Sequence, residues 1–167
     1  MTSTEQNDTF NRWMEDHAAI LHKVARSFCH AANDQEDLLQ EIRVALWHGI
    51  PGYDGRSKVS SYIYRICLNK AISWKRRAQS YRRKIDKFEN EPIAPPDVTG
   101  STDRRLAIVY AEIRRLNDAE RSLILLQLDG FNYREIAETL GLTESNVGVK
   151  LNRIRKKLAE RLKGQNP

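Results

Sequence analysis

Apolar residues recur at spacings of three and four along most of the chain, which is the period of an amphipathic helix. Near the end of the chain, for example, Val147, Leu151, Ile154 and Leu158 follow a spacing of four, three and four. Residues with this spacing form one stripe along a helix. Alternating or Val/Ile-rich segments bounded by turns, which would indicate strands, are missing. We therefore predict an all-α fold.

The helical pattern is interrupted at residues 90–102, "NEPIAPPDVTGST". Three prolines and one glycine in this stretch forbid a continuous helix. In a chain of 167 residues, such an interruption predicts two small helical domains joined by a flexible linker. The predicted bounds are 8–88 for the first domain, 89–102 for the linker and 103–163 for the second domain.

The second domain carries the local signals of a helix-turn-helix. Asn132 and Glu135 form a capping box at the start of one helix, Gly141 permits the left-handed turn that ends it, and Thr143 caps the next helix. Another Asn-x-x-Glu pair opens the apolar segment 117–130, which supplies a packing surface. Two helices joined by so short a turn must cross steeply. We predict that the helix after Thr143 is the recognition helix.

The side of this helix opposite its apolar stripe is polar and cationic. At about 100° per residue, that side holds five residues, with Lys150 on one flank. They are Ser145, Val149, Asn152, Arg153 and Lys156. A helix with this face suits the major groove of DNA, where Ser145, Asn152 and Arg153 would read bases and the lysines would hold phosphates. The alternative is a charged face that contacts only solvent.

Charge is unevenly distributed along the chain. In total, 28 Lys and Arg against 22 Asp and Glu give a formal charge of +6, which favours an anionic partner such as nucleic acid or an acidic membrane surface. Residues 65–87 hold nine bases and one acid, and residues 145–163 hold seven bases and one acid. We therefore expect two separate cationic surfaces. A membrane-surface role for the last helix is disfavoured, because its apolar stripe is needed to pack the domain.

Residues 33–47 predict an acidic helix that starts at a capping pair, Asn33 and Glu36. Its buried face would comprise Leu38, Leu39, Ile42, Ala45 and Leu46. Its outer face mixes carboxylates with apolar groups, and comprises Glu36, Asp37, Gln40, Glu41, Val44 and Trp47. Such a mixture suggests a protein partner. The alternative is ordinary acidity at a helix start together with a buried Trp47.

Residues 61–77 predict a helix that is apolar over more than half of its circumference. Its polar stripe comprises Ser61, Arg65, Asn69, Ile72 and Arg76. Aromatic residues lie on or near this helix, namely Tyr53, Tyr62, Tyr64 and Trp74. Bases interleaved with aromatic rings suit unstacked nucleotides, which need a ring to stack on and charges to hold the backbone. The alternative is that the rings belong to the core, which we prefer for Tyr64 and Trp74.

Nothing in the sequence points to catalysis or to a metal. The two cysteines, Cys29 and Cys67, and the four histidines lack metal-ligand spacing, and no glycine-rich phosphate loop is present. We therefore expect no enzymatic activity and no cofactor. The cysteine usage fits a reduced cytoplasmic protein, and the start of the chain lacks the features of a signal segment.

Three segments, in this order, resemble the extracytoplasmic-function sigma factors of bacterial RNA polymerase over nearly the whole chain. They are "DQEDLLQEIRVALW", "SSYIYRICLNKAISWKRR" and "DGFNYREIAETLGLTESNVGVKLNRIRKKL". The resemblance implies that the first domain binds the polymerase clamp and melts the minus-10 element, while the second domain reads the minus-35 element as duplex. The implied partners are RNA polymerase core, promoter DNA as duplex and as melted strand, and an anti-sigma protein.

The helix faces described above and the resemblance together assign expected roles to individual residues. Those at the polymerase are Asp34, Glu36, Asp37, Gln40, Glu41, Val44 and Trp47. Those at the minus-10 element are Tyr53, Asp54, Arg56, Lys58, Arg65, Asn69, Arg76 and Arg77. Those at the minus-35 element are Ser145, Asn146, Val149, Lys150, Asn152, Arg153 and Lys156. The loop 53–59 would receive a flipped base, and Arg76 and Arg77 would hold phosphates beside it.

The recognition helix departs from the family's common pattern at one point. An arginine and a serine usually follow the central valine, whereas this chain has Gly148 and Val149. The particular promoter sequence therefore does not follow from the resemblance.

A stand-alone helix-turn-helix repressor or activator is the alternative function. It predicts a symmetric dimer that binds an operator without polymerase. The acidic helix with Trp47 and the basic aromatic helix favour the sigma factor.

Overall fold

A computed structural model describes the protein over residues 1–85 and 101–165. Within these ranges the chain is helical and contains no strand, so the all-α prediction is confirmed. The helices are α1 (Ser3–Phe28), α2 (Ala32–Gly49), α3 (Val59–Ile85), α4 (Ser101–Arg114), α5 (Asp118–Leu128), α6 (Tyr133–Leu140) and α7 (Glu144–Lys163). A short 3-10 turn, Ile50–Gly52, follows α2.

The predicted linker, 89–102, lies mostly outside the described residues. Its last two positions belong to α4, which begins at Ser101. Asp103 then falls in the first turn of α4, where a carboxylate interacts favourably with the helix dipole.

Helix α1 begins five residues before the predicted start of the first domain. The Thr2 hydroxyl accepts a hydrogen bond from the Glu5 amide, and the Glu5 carboxylate accepts one from the Thr2 amide at 2.7 Å. This capping box satisfies two amides that the first turn of a helix leaves unpaired. The Thr-x-x-Glu pattern at residues 2–5 is the signal that would have located this start.

The predicted cap of α2 is wrong. Its N-cap residue is Ala31, which makes no side-chain hydrogen bond, so Asn33 and Glu36 do not form a capping pair. Instead, the side-chain amide of Gln35 reaches back across the turn and donates to the carbonyl oxygen of Cys29 at 3.1 Å. This bond ties the first turn of α2 to the end of α1.

Helices α1, α2 and α3 pack on one another around the core of the first domain. The fully or almost fully buried side chains include Trp13, Leu21, Val24, Leu38, Ile42, Leu46, Ile63 and Leu68. Tyr64 is also fully buried, and Trp74 is partly buried against the core, as we preferred for both residues.

Helices α4–α7 form the second domain. The capping boxes at 117–120 and 132–135 are both present, and the Thr143 hydroxyl caps α7 by accepting from the Asn146 amide. Gly141 ends α6 with a φ of 70°, the left-handed conformation that the turn requires. Val147, Leu151 and Ile154 are buried as predicted, whereas Leu158 is only partly buried. The helix-turn-helix is therefore confirmed.

Arg121 is a fully buried cation that organises the second domain. Its guanidinium donates to the carbonyl oxygens of Ile113, Arg114 and Leu116, at the end of α4, and to the carboxylate of Asp118. These acceptors satisfy the donors of a charge that would otherwise be costly to bury.

The two domains are in direct contact, which the sequence did not predict. Asp129, at the end of α5, accepts hydrogen bonds from the Lys23 ammonium of α1 and from the hydroxyl of Tyr64 in α3. The ring of Phe131 packs edge-on against that of Tyr64, with centroids 5.4 Å apart. Arg121 lies 4.5 Å from the ring centroid of Phe28 at the end of α1. We call this arrangement of the two domains the closed arrangement.

Candidate functional site

The outer face of α2 is open to solvent. Four of its residues are exposed, and we refer to them as the α2 outer face: Glu36, Asp37, Gln40 and Val44. Val44 is 58% exposed and lies one helical turn beyond Gln40. The face thus offers charge and apolar contact together to another protein.

The remaining residues predicted at the polymerase are partly buried. Asp34 pairs with Arg82 at 2.9 Å, and Glu41 pairs with Arg77 at 2.6 Å. The Trp47 ring packs edge-on against Phe10, with centroids 5.8 Å apart.

Cations of α3 therefore already neutralise two carboxylates of the predicted polymerase site. The structure places Arg77 against α2, away from the other residues predicted at the minus-10 element. A position one residue after Arg76 is turned by about 100° on a helix, so the two arginines serve different surfaces.

The polar stripe of α3 lies on the surface as predicted. Arg65, Asn69 and Arg76 are exposed, and Ser61 and Ile72 are partly buried. The Arg65 guanidinium lies 5.4 Å from the centroid of the Tyr62 ring. This cation–π contact keeps the Arg65 guanidinium close to the Tyr62 ring.

Aromatic packing fixes the loop 53–59. The Tyr53 ring lies 5.7 Å from Trp13 and 5.0 Å from Tyr62, centroid to centroid, and its hydroxyl donates to the Ser57 carbonyl at 2.6 Å. Tyr53 is therefore half-buried and shapes the loop from below. Asp54, Arg56 and Lys58 stay exposed on its outer side. In addition, Asp54 accepts from the backbone amide of Arg56 at 3.1 Å.

In the closed arrangement, this loop faces α6 across a polar cleft of about 360 Å³. Arg56, Lys58 and Arg65 line one wall, and Glu135 and Glu138 lie on the other. Lys58 bridges the cleft by an ion pair with Glu135. The hydrogen bond from Lys58 holds the pKa of the Glu135 carboxyl below its usual range. Carboxylates of the second domain thus occupy the neighbourhood of cations predicted to hold DNA.

The recognition face, which we define as Ser145, Val149, Asn152, Arg153 and Lys156, is exposed throughout. Asn146 and Lys150, also predicted at the minus-35 element, are exposed too. The buried stripe of α7 packs against α5 and α6, which directs this face away from the protein. All seven predicted residues are therefore free to meet DNA.

Tyr133 covers one flank of α7, a contact that was not predicted from the sequence. Arg155 donates to the Tyr133 hydroxyl at 2.8 Å and to the Gln127 side chain at 3.0 Å. A Cβ added at Gly148 would lie 3.3 Å from the Tyr133 ring, so the glycine makes room for this aromatic side chain. The signal was the glycine itself, which is unusual in a helix interior.

Burial shifts the ionisation of three side chains near the domain boundary. It raises the pKa of the Cys29 thiol to about 12, and it also raises that of Cys67. The pKa of Tyr64 is raised by burial and by its hydrogen bond to Asp129. All three groups are therefore neutral at physiological pH.

Within the described residues, no group of three or more His, Cys, Asp or Glu side chains is gathered as a metal site. None of the helices in those same ranges is long and apolar enough to cross a lipid bilayer.

Two family models match the chain. The model described as Sigma-70 region 2 matches residues 13–81, and the model described as Sigma-70, region 4 matches residues 106–158. The chain belongs to the extracytoplasmic-function sigma factors of RNA polymerase.

Similar proteins carry the same description. RNA polymerase sigma factor NccH of Alcaligenes xylosoxydans xylosoxydans is 28% identical over 156 residues, covering 89% of this chain and 84% of NccH. ECF RNA polymerase sigma factor SigM of Mycobacterium tuberculosis is 25% identical over 153 residues, covering 92% of this chain and 76% of SigM. Among solved structures, the sigma factor RpoE from Bartonella quintana, in complex with the anti-sigma factor NepR, matches with a TM-score of 0.74 and 24% identity. The match covers 93% of this chain and 97% of RpoE.

The family decides between the two functions that the sequence left open. Besides region 4, which contains the helix-turn-helix, this sigma factor carries region 2, which a stand-alone repressor would not need. The comparisons therefore favour the sigma factor over a repressor or activator.

Proposed function

We propose that this sigma factor binds RNA polymerase core through the α2 outer face. The observation that carries the proposal is the exposure of Val44 on the same side of α2 as Gln40 and the carboxylates of Glu36 and Asp37. An interface of this composition buries apolar area while its charges select a cationic partner. The partly buried Asp34, Glu41 and Trp47 would support this face from its edges.

At the minus-10 element, single-stranded DNA would follow the polar stripe of α3. Arg65 and Arg76 would hold phosphates, Asn69 would hydrogen-bond a base, and the loop 53–59 would receive a flipped base. Extruding a base costs a few kcal/mol, which binding energy from these contacts must offset. No covalent step is needed, so we propose that the protein acts by binding and has no enzymatic activity.

At the minus-35 element, α7 would lie in the major groove of intact duplex. Ser145, Asn152 and Arg153 would contact base edges, while Lys150 and Lys156 would contact phosphates. Asn146, at the start of the helix, would lie near the DNA backbone. Sequence preference would then reside in the recognition face.

The closed arrangement is incompatible with this use of the first domain, because α6 and its carboxylates face the loop 53–59. We therefore propose that the domains separate when the protein joins polymerase and promoter. RpoE of Bartonella quintana has been crystallised with an anti-sigma factor, and we propose that this protein likewise has an anti-sigma partner that covers the DNA and polymerase surfaces. This sigma factor would act in the cytoplasm, where bacterial polymerase transcribes.

A core-binding measurement tests the α2 assignment. Asp37→Arg should weaken binding to purified core polymerase by at least tenfold, since it reverses a charge in the middle of the α2 outer face. Glu15→Arg is the matched control, because Glu15 is an exposed acid on α1 and undergoes the same change of charge. Equal effects of the two variants would show that net charge, and not this face, governs binding.

The wild type and both variants are then tested in transcription of genomic DNA by core polymerase, and the transcription start sites are mapped. We expect core polymerase to gain defined starts with the wild type and with Glu15→Arg, and to gain none with Asp37→Arg. Starts that appear equally without the protein would refute the proposed function.

A further inference from the structure

Val149 lies on the outward side of the recognition helix. At about 100° per residue, the buried residues Val147, Leu151 and Ile154 centre on one direction, and Val149 lies within roughly 30° of the opposite one. Its side chain is 48% exposed. Among the polar and cationic residues of the recognition face, this aliphatic side chain is the one that offers a partner an apolar contact.

The two flanks of the helix differ in what they can offer to DNA. On one flank, Gly148 has no side chain, and Arg155 is held by Tyr133 and Gln127. On the other flank, Lys150 and Arg153 are exposed cations. Hydrogen bonds to bases would therefore come from the flank of Lys150 and Arg153 and from the recognition face. Within the recognition face, Val149 is the residue whose side chain can neither donate nor accept.

We propose that Val149 is a specificity-determining residue that recognises the 5-methyl group of a thymine in the minus-35 element. The thymine methyl is the one apolar group that a base pair presents in the major groove, and aliphatic side chains contact it directly. A polar residue at this position would lose the apolar contact with the methyl group. Valine has no donor or acceptor, so this apolar contact is what its side chain can offer to a base. The inference rests on the proposed docking of α7 in the major groove.

The contact between Val149 and the thymine methyl group would add to the binding free energy. When the helix docks, the valine and the methyl group leave water together, which is favourable by roughly the transfer energy of one buried methyl or methylene group. The flanking Asn152 and Arg153 would fix the register of the helix, so that a single base step faces the valine.

The test uses the full chain bound to core polymerase. Duplexes with a random upstream element are selected by this holoenzyme, and the preferred element is then synthesised with deoxyuridine replacing one thymine at a time. Deoxyuridine pairs like thymine and lacks only the methyl group. We expect one position at which this replacement weakens binding by about fourfold, the equivalent of one buried methyl group.

The Val149→Ser variant completes a double-mutant cycle, in which the valine side chain and the thymine methyl group are removed separately and together. At the sensitive position, we expect this variant to bind thymine and deoxyuridine equally. Lys150→Ala is the matched control: loss of a phosphate contact should weaken binding to both duplexes alike and preserve the fourfold ratio.

Three results would overturn the inference: an element without an enriched thymine, no sensitivity to deoxyuridine at any position, or the same sensitivity in Val149→Ser. Each leaves the proposed function standing, because the holoenzyme has still selected an upstream element. Failure to select any upstream sequence would instead refute duplex reading by α7, and this inference with it.

Discussion

Asp129 is one of the polar links between the two domains, and its removal should shift the protein away from the closed arrangement. The side chain is 12% exposed and accepts hydrogen bonds from Lys23 and from the fully buried Tyr64. In Asp129→Ala, the Tyr64 hydroxyl loses its partner while still buried, which costs about 1–3 kcal/mol. The pair with the half-exposed Lys23 adds no more than about 1 kcal/mol.

Together these losses disfavour the closed arrangement by about 1–4 kcal/mol, a change of roughly fivefold to several hundredfold in the equilibrium between closed and open forms. Asp129→Asn should have a smaller effect, because the amide oxygen can still accept from Tyr64. Tyr64→Phe should also have a smaller effect, because it removes the hydroxyl together with its need for an acceptor.

Energy transfer between dyes on cysteines introduced at Gln79 in α3 and Glu160 in α7 measures the separation, since both positions are exposed. We expect short distances to dominate in the wild type and a larger population at long distances in Asp129→Ala. The control is Glu144→Ala, which removes an exposed acid in the first turn of α7. Identical distance distributions for wild type and Asp129→Ala would refute the reasoning.

Three further predictions concern a buried charge, a buried thiol and a base contact. Arg121→Ala should lower the free energy of unfolding by about 3–5 kcal/mol, because it leaves three carbonyl oxygens and Asp118 without their donor. Urea denaturation followed by circular dichroism measures this, and a loss no larger than that of the exposed Arg134→Ala would contradict it. Since burial raises the pKa of Cys29 to about 12, its reaction with a thiol reagent at pH 8 should be at least about 100-fold slower in the folded protein than in urea. The same raised pKa means that the folded state holds this proton more tightly. The contribution of Cys29 to stability is therefore present below the unfolded pKa of about 8.5 and is lost as the pH rises towards about 12. Fast labelling at pH 8 under native conditions would show instead that the thiol is accessible. Arg153→Ala should abolish discrimination among upstream elements while core binding is unchanged. Uniform weakening on every DNA sequence, measured by competition binding, would reassign Arg153 to a phosphate contact.

Local signals predicted the second domain well. The capping boxes at 117–120 and 132–135, the left-handed Gly141 and the Thr143 cap all depend on residues within four positions of one another. At these positions the interactions are local, so their patterns can be recognised in the sequence.

The errors and omissions have a different physical origin. Asn33 fitted a capping pattern, but Gln35 reaches the end of the preceding helix and moves the start of α2. The outcome depends on how two helices approach each other, which a local pattern does not contain.

Contacts between distant segments were not predictable at all. Asp129 meets Lys23 across 106 positions, and Lys58 meets Glu135 across 77. Periodicity places each of these residues on a helix face or in a loop, but it does not say which face of another domain lies opposite. The exposure of the α2 outer face and of the recognition face was predictable from single helices, whereas the partial burial of Asp34, Glu41 and Trp47 and the cleft between the loop 53–59 and α6 required the structure.

Permanganate footprinting of a promoter selected by the holoenzyme tests most directly whether the two domains divide the work of melting and duplex reading. Permanganate oxidises unpaired thymines, so it reports strand separation at single bases. We predict reactive thymines in the minus-10 element only when core polymerase and this protein are both present, with the upstream element remaining paired. Absence of reactive thymines with the complete holoenzyme, together with protection of a palindrome by the protein alone, would contradict that division.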